Sequence, residues 1–169
     1  MATQTVRPIE VAYNPEYIYE GVEAVSQSYK AGAFLTFDSN GGLVEAGTDE
    51  DLIAGIASGP GLNKAAGTNP LPRARYVPLL PGVIVEGNLV ASATTSHTVH
   101  EGTVIGLLVG IIKRTSESNV PWAFDAGEAA QANLSFRIIG MRDASGDVNP
   151  RVYAVAVASK CAWLSAVAR

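Results

Sequence analysis

Residues able to do chemistry are few in this chain, and they stand apart from one another. Both histidines lie in His97-Thr98-Val99-His100, with Glu101 next to them. Zinc takes three or four converging Cys, His or carboxylate ligands. Two positions three apart on a strand face opposite sides, so the pair reads as part of a solvated loop. Asp49-Glu50-Asp51 gathers three carboxylates. It lacks the Asp-x-Asp-x-Asp-Gly frame of a calcium loop and has no partner motif for acid–base work, so a capped turn or a solvated charge run is expected. The only cysteine, Cys161, sits in Lys160-Cys161-Ala162-Trp163-Leu164, where a buried small hydrophobe is the simpler reading than a reactive thiol.

The motifs that announce a catalytic scaffold are missing. There is no Gly-x-Ser-x-Gly elbow, no Gly-x-x-x-x-Gly-Lys-Ser/Thr phosphate cradle and no dinucleotide Gly-x-Gly-x-x-Gly. The glycines between Gly55 and Gly61 are followed by neither a helix pattern nor that lysine, so they are assigned to turns and tight strand packing. Gly106 and Gly110 match a membrane-helix spacing, but that spacing has meaning only inside an apolar 20-mer. Trp122 and Trp163 read as core or interface anchors. No catalytic residue, metal or cofactor is expected, and the chain is not expected to be an enzyme.

Composition narrows the classes further. The chain has 169 residues, of which 47% are hydrophobic and only 17% charged, against about 25% charged in ordinary soluble domains. A single filled core is feasible, and part of the surface is expected to be covered by neighbours. The net charge of −4, with lysines and arginines dispersed, argues against nucleic acid as a partner, because phosphate binding needs concentrated positive charge. The longest apolar run, Val104 to Ile112, is about half the ~20 residues of a membrane-spanning helix; it reads as a bent strand or strand pair, and no membrane role is expected. Met1 to Arg7 lack the apolar segment of an export signal.

The elements that would position any site are short and strand-like. Residues 1–28 carry Tyr13, Tyr17 and Tyr19 with Pro8 and Pro15 but no clean period, and read either as an extended docking arm or as a first strand tied into a sheet. Ala33-Phe34-Leu35-Thr36-Phe37 and Leu43-Val44-Glu45-Ala46 flank Asp38-Ser39-Asn40-Gly41-Gly42, a hairpin signature. Thr48-Asp49-Glu50-Asp51 could cap one turn before a strand around Ile53 to Ala57, and 58–73 is too rich in Gly and Pro for regular structure. Pro81-Gly82 joins two strands, the first demoted to an edge or bulge by Pro78. Thr103–Lys113, Val120–Asp125, Leu134–Met141 and Val152–Ala158 read as further strands, with short helices over Gly127–Asn133 and Ser159–Val167. The expected fold is mainly β, a small barrel, β-tulip-like or sandwich domain over 29–169 with an extended N-terminal arm over 1–28.

The order of segments carries a resemblance. Tyr29-Lys30-Ala31-Gly32-Ala33-Phe34-Leu35, then Gly41-Gly42-Leu43-Val44-Glu45-Ala46, then Ile53-Ala54-Gly55-Ile56-Ala57, then Val83-Ile84-Val85-Glu86-Gly87, resembles the small capsid decoration (cement) proteins of tailed bacteriophages over residues 29 to about 110. That resemblance implies a β-barrel or β-tulip-like domain that sits on the outside of an expanded capsid. It implies major capsid protein and further copies of the same chain, usually a homotrimer, as partners. It also implies an N-terminal arm whose contacts here would be Pro8, Val11, Tyr13, Tyr17 and Tyr19. Residues 113–169 have no counterpart in the pattern and could stand as an added subdomain. The competing reading is another virion component, such as a tail or fibre part or a glycan-binding module.

Overall fold

A computed structural model describes residues 2, 4, 6–13, 18–48, 50–67, 72–115 and 122–162. The fold is mainly β: a closed five-stranded barrel and a second sheet. In chain order the strands are β1 (Glu10–Tyr13), β2 (Tyr19–Val22), β3 (Phe34–Phe37), β4 (Leu43–Glu45), β5 (Gly55–Ala57), β6 (Arg73–Pro78) and β7 (Ile84–Val90). After a single helical turn, α1 (Glu101–Val104), come β8 (Leu108–Lys113), β9 (Trp122–Asp125), β10 (Phe136–Met141) and β11 (Arg151–Ala156).

The barrel runs β7-β11-β10-β8-β9 and closes when β9 returns to β7 in parallel, Leu89 opposite Phe124 and Val90 opposite Asp125. β7 is long enough to serve two neighbours on one edge. Its last residues hold β9, while Ile84 to Glu86 hold β1 in antiparallel register. Three of the five barrel strands therefore come from the sequence beyond Lys113. The second sheet, β2-β6-β5-β3-β4, is antiparallel throughout, and its two outer strands meet at one corner through a Glu23–Leu43 bridge.

The two layers share one core. Phe34 of β3 inserts among the barrel aromatics, its centroid 5.7 Å from Trp122 in an edge-on contact and 5.3 Å from Phe136. Phe124 and Phe136 meet at 5.2 Å. Such pairs are worth ~0.5–1.5 kcal/mol each beyond the area they bury. Glu45 on β4 adds a polar tie at the rim of this cluster, accepting from Trp122 Nε1 at 3.0 Å and pairing with Lys113 Nζ at 2.7 Å. A smaller cluster, Val90, Ile112 and Ala123, is covered by Val6. The first residues are held down beyond that contact too: Gln4 N–H donates to Val148 O at 2.9 Å, Arg7 N–H to Asn88 Oδ1 at 2.9 Å, and Ile9 is buried in the main core.

The Asp38 turn forms as its sequence dictates. The Asp38 carboxylate accepts the N–H groups of Asn40 and Gly42, so β3 and β4 pair with Thr36 opposite Val44. Several expectations are corrected. Thr103–Lys113 is not one strand: it opens inside α1, Gly106 adopts φ +89°, and the strand starts only at Leu108. A left-handed residue that glycine alone takes without strain separates the two conformations. β6 is an interior strand in spite of Pro78, because the proline is its last residue and pairs only with Gly55 of β5, while β2 binds Arg73 to Tyr76. The helix expected over Gly127–Asn133 is a single 3-10 turn at Gln131–Asn133; at the start of the one expected over Ser159–Val167 the described residues hold a 3-10 turn at Ala158–Lys160, and residues 163–169, including Trp163, lie outside the described residues. Cys161 is buried, and burial raises its thiol pKa.

Candidate interaction surface

Strand β2 builds the most conspicuous apolar surface. Its alternation sends Gly21 and Glu23 inward and Ile18, Glu20 and Val22 outward, since successive side chains on a strand point to opposite faces. Gly21 lies so close to Leu43 that a Cβ there would stand 2.4 Å from its Cδ1. The outward residues Ile18 and Val22 are 47% and 39% exposed. Chain segments on either side extend the strip. Residues 61–64 run beside 23–29, with Leu62 N–H donating to Glu23 Oε1, Asn63 N–H to Gln27 O and Ser26 N–H to Lys64 O, each at 2.8 Å. This brings exposed Val25 and Leu62 onto the same edge. Arg73 and Arg75, both exposed on β6, stand opposite Val22 and Glu20. The outward face of β2 thus carries Ile18 and Val22 with Glu20 between them and Arg75 and Arg73 opposite, and exposed Val25 and Leu62 lie on the adjoining segments, a mixed apolar and polar composition of the kind contact surfaces have.

Two buried tyrosines stiffen the layer beneath. Tyr29 is held in its neutral form, its pKa raised by burial and then by the hydrogen bond and charge of Glu23. Tyr76 is pushed up to about 12, again by burial first and then by Tyr19. The Tyr19 and Tyr76 ring centroids are 6.5 Å apart, so Tyr19, itself 47% exposed, bridges the buried layer and the surface.

Of the five residues expected to make contacts, the four that are described fall on different parts of the fold: Pro8 before β1, Val11 and Tyr13 on β1, and Tyr19 on β2. Tyr19 is on β2 at the edge of the strip. Pro8 is exposed just before β1, beside Gly32, where an added Cβ would lie 2.9 Å from the proline. Val11 on β1 is partly buried and packs against the core. Tyr13 ends β1, paired with Ile84, and Tyr17 falls outside the described residues. Ile18, Val22, Val25 and Leu62 were missed by sequence reading. The Ile18-Glu20-Val22 alternation was visible, but nothing local says which face of an edge strand stays uncovered.

Among the described residues no group of three or more His, Cys, Asp or Glu could hold a metal, and no helix is long and apolar enough to cross a membrane. His97 and His100 lie on the loop before α1, where His97 N–H donates to Asn149 Oδ1 at 3.0 Å. Set beside known family models, curated proteins and solved structures, the chain matches none of them.

Proposed function

We propose that this chain is a structural virion protein that binds the outside of an expanded tailed-phage capsid and stabilises it by bridging major capsid protein subunits, acting as a homotrimer. The observation that carries the reading is the exposed row Ile18, Val22, Val25 and Leu62 on an edge strand of a body with few charges. Burying such a row against a shell removes apolar area from water at ~25 cal/mol per Å². Many copies on one shell, or three linked in a trimer, multiply a modest contact through avidity. The order of Gly-led strands from Tyr29 to Gly87 supports the same reading.

Truncating the first ~20 residues is a poor test, because it would remove Val6 and Ile9 from buried positions and strip β1 from its pairing with β7. Paired substitutions Ile18→Glu and Val22→Glu act on the surface alone. The native chain should co-sediment with expanded empty capsids of its phage, and the double variant should remain in the supernatant with its thermal unfolding little changed. Equal sedimentation of the two proteins, or failure of the native chain to sediment, would overturn the proposal.

A further inference from the structure

We propose that the outer face of the barrel carries a second site, a shallow groove that receives one neutral hexopyranose ring of a glycan. It lies across four neighbouring strands, lined by Ala12 of β1, Ile84 and Glu86 of β7, Tyr153 of β11, and Ile139 and Gly140 of β10, and encloses about 380 Å³. That volume falls within the ~300–1,000 Å³ of small-molecule sites. The inference is independent of shell binding, which uses another strand and another sheet.

The backbone is irregular on both sides of this groove. The β1–β7 register shifts between Val11 and Tyr13, and the β10–β11 register shifts between Ile138 and Gly140. The residues inside those two shifts are Ala12 and Ile139, and both line the groove. A bulge bends its strand and re-aims a side chain, and bulges concentrate next to sites. Here two of them turn a flat barrel face into a trough. Gly140 keeps its floor open: even a methyl group there would reach ordinary contact, 3.7 Å, with the Tyr153 ring.

The chemistry of the lining matches a sugar ring. Pyranoses present an apolar C–H face and a rim of hydroxyls. Tyr153, Ile84 and Ile139 offer the apolar surface, and Ile139 is 42% exposed. Glu86 is the acceptor. Its Oε1 accepts from Arg142 and is ion-paired with Arg151 Nε at 2.7 Å without hydrogen-bond geometry, while Oε2 makes no hydrogen bond among the described residues. Arg151 also approaches Glu10 Oε2 at 3.5 Å, so two carboxylates face two guanidiniums. This balance leaves little net field to attract a charged ligand. The Arg142 hydrogen bond fixes the Glu86 carboxylate in place, and Arg142, half exposed behind it, keeps further N–H donors. A neutral ligand with paired hydroxyls uses both.

The test is a titration of the full-length, 15N-labelled chain with the methyl glycosides of glucose, galactose, mannose and N-acetylglucosamine, read as amide shifts. At least one sugar should give saturable millimolar shifts at Ala12, Ile84, Ile139, Gly140 and Tyr153. Ile139→Asp, at an exposed position, and Tyr153→Ala should each weaken that binding by roughly tenfold or more, with resonances of β3 to β6 unmoved as a control on folding. Absence of saturable shifts with all four sugars, shifts confined to other residues, or unchanged affinity in Ile139→Asp would overturn the site. So would shifts at the lining residues that depend on protein concentration without sugar, which would give the groove to a second copy of the chain.

Discussion

The hydroxyl of Tyr29 donates to Glu23 Oε2 at 2.7 Å, and both side chains are buried. The other carboxylate oxygen accepts the Leu62 N–H at 2.8 Å. One side chain thus joins the end of β2, the segment leading into β3 and the glycine-rich stretch that carries Leu62. A buried carboxylate is tolerated only when its oxygens are satisfied. The exposed row on β2 is therefore anchored from beneath by a polar contact that an apolar core would not supply.

Removing that hydroxyl should be costly. Tyr29→Phe keeps the ring in place and deprives Glu23 of a donor, so stability should fall by about 1–3 kcal/mol. Glu23→Ala should cost more, since it orphans both the Tyr29 hydroxyl and the Leu62 N–H. Urea unfolding measures both, and unchanged midpoints would mean that the Glu23 oxygens find other donors.

Alkaline pH should weaken the fold before other chemistry intervenes. Tyr29 and Tyr76 both have pKa values raised in the folded chain, Tyr76 to about 12. Below the ordinary tyrosine value of ~10 both states keep these protons and nothing changes. Above it the unfolded chain releases protons that the folded chain retains, so stability falls as pH rises and, for Tyr76, goes on falling to about 12. Each tyrosine should approach a slope of about 1.4 kcal/mol per pH unit. Denaturant midpoints between pH 8 and 11.5 should show a plateau followed by a decline, shallower in Tyr29→Phe; equal slopes in the two proteins would remove Tyr29 from the cause.

Local chemistry was legible, and long-range closure was not. The Asp38 turn, the Pro81-Gly82 turn and the strands on either side could be read because a turn residue and its flanks lie within a few positions. The parallel return of β9 onto Leu89 and Val90 joins residues more than thirty apart in sequence, and no turn signal marks it. The same holds for the groove: Glu86, Tyr153 and Ile139 are unremarkable in their own segments and acquire a relationship only through register. The bulge at Ala12 has no glycine or proline beside it to announce it, and Gly140 next to Ile139 marks an irregular strand without saying what it will face. The single turn at Glu101–Val104 was hidden because an apolar run of that length suits a strand or a buried helix equally.

Phe34 should behave as the residue that joins the two layers. It has no exposed surface and touches Trp122, Phe124 and Phe136. Phe34→Ala should cost about 3–5 kcal/mol through lost burial and the cavity left behind. Phe34→Leu should cost clearly less. Because the core is continuous, barrel and sheet should still unfold together in Phe34→Leu, with tryptophan fluorescence and far-ultraviolet circular dichroism giving one midpoint. Two separated transitions would show that the layers are coupled less tightly than this contact implies.

Two glycine substitutions should move stability in opposite directions. At Gly55 an added Cβ would lie 2.5 Å from the Val77 carbonyl oxygen and 2.6 Å from Tyr76 Cδ2. β5 is held between β3 and β6, so that carbonyl cannot retreat without breaking a ladder. Gly55→Ala should therefore destabilise by about 1–3 kcal/mol, the range of overpacked cores. Gly102 is exposed in α1, and a Cβ there meets nothing within 4 Å. Gly102→Ala should hold or raise stability, by up to ~1 kcal/mol, because alanine loses less backbone freedom in a helical turn. Thermal midpoints of the two variants decide it: a Gly55→Ala protein as stable as the parent would mean that β5 and β6 stand farther apart than the structure places them.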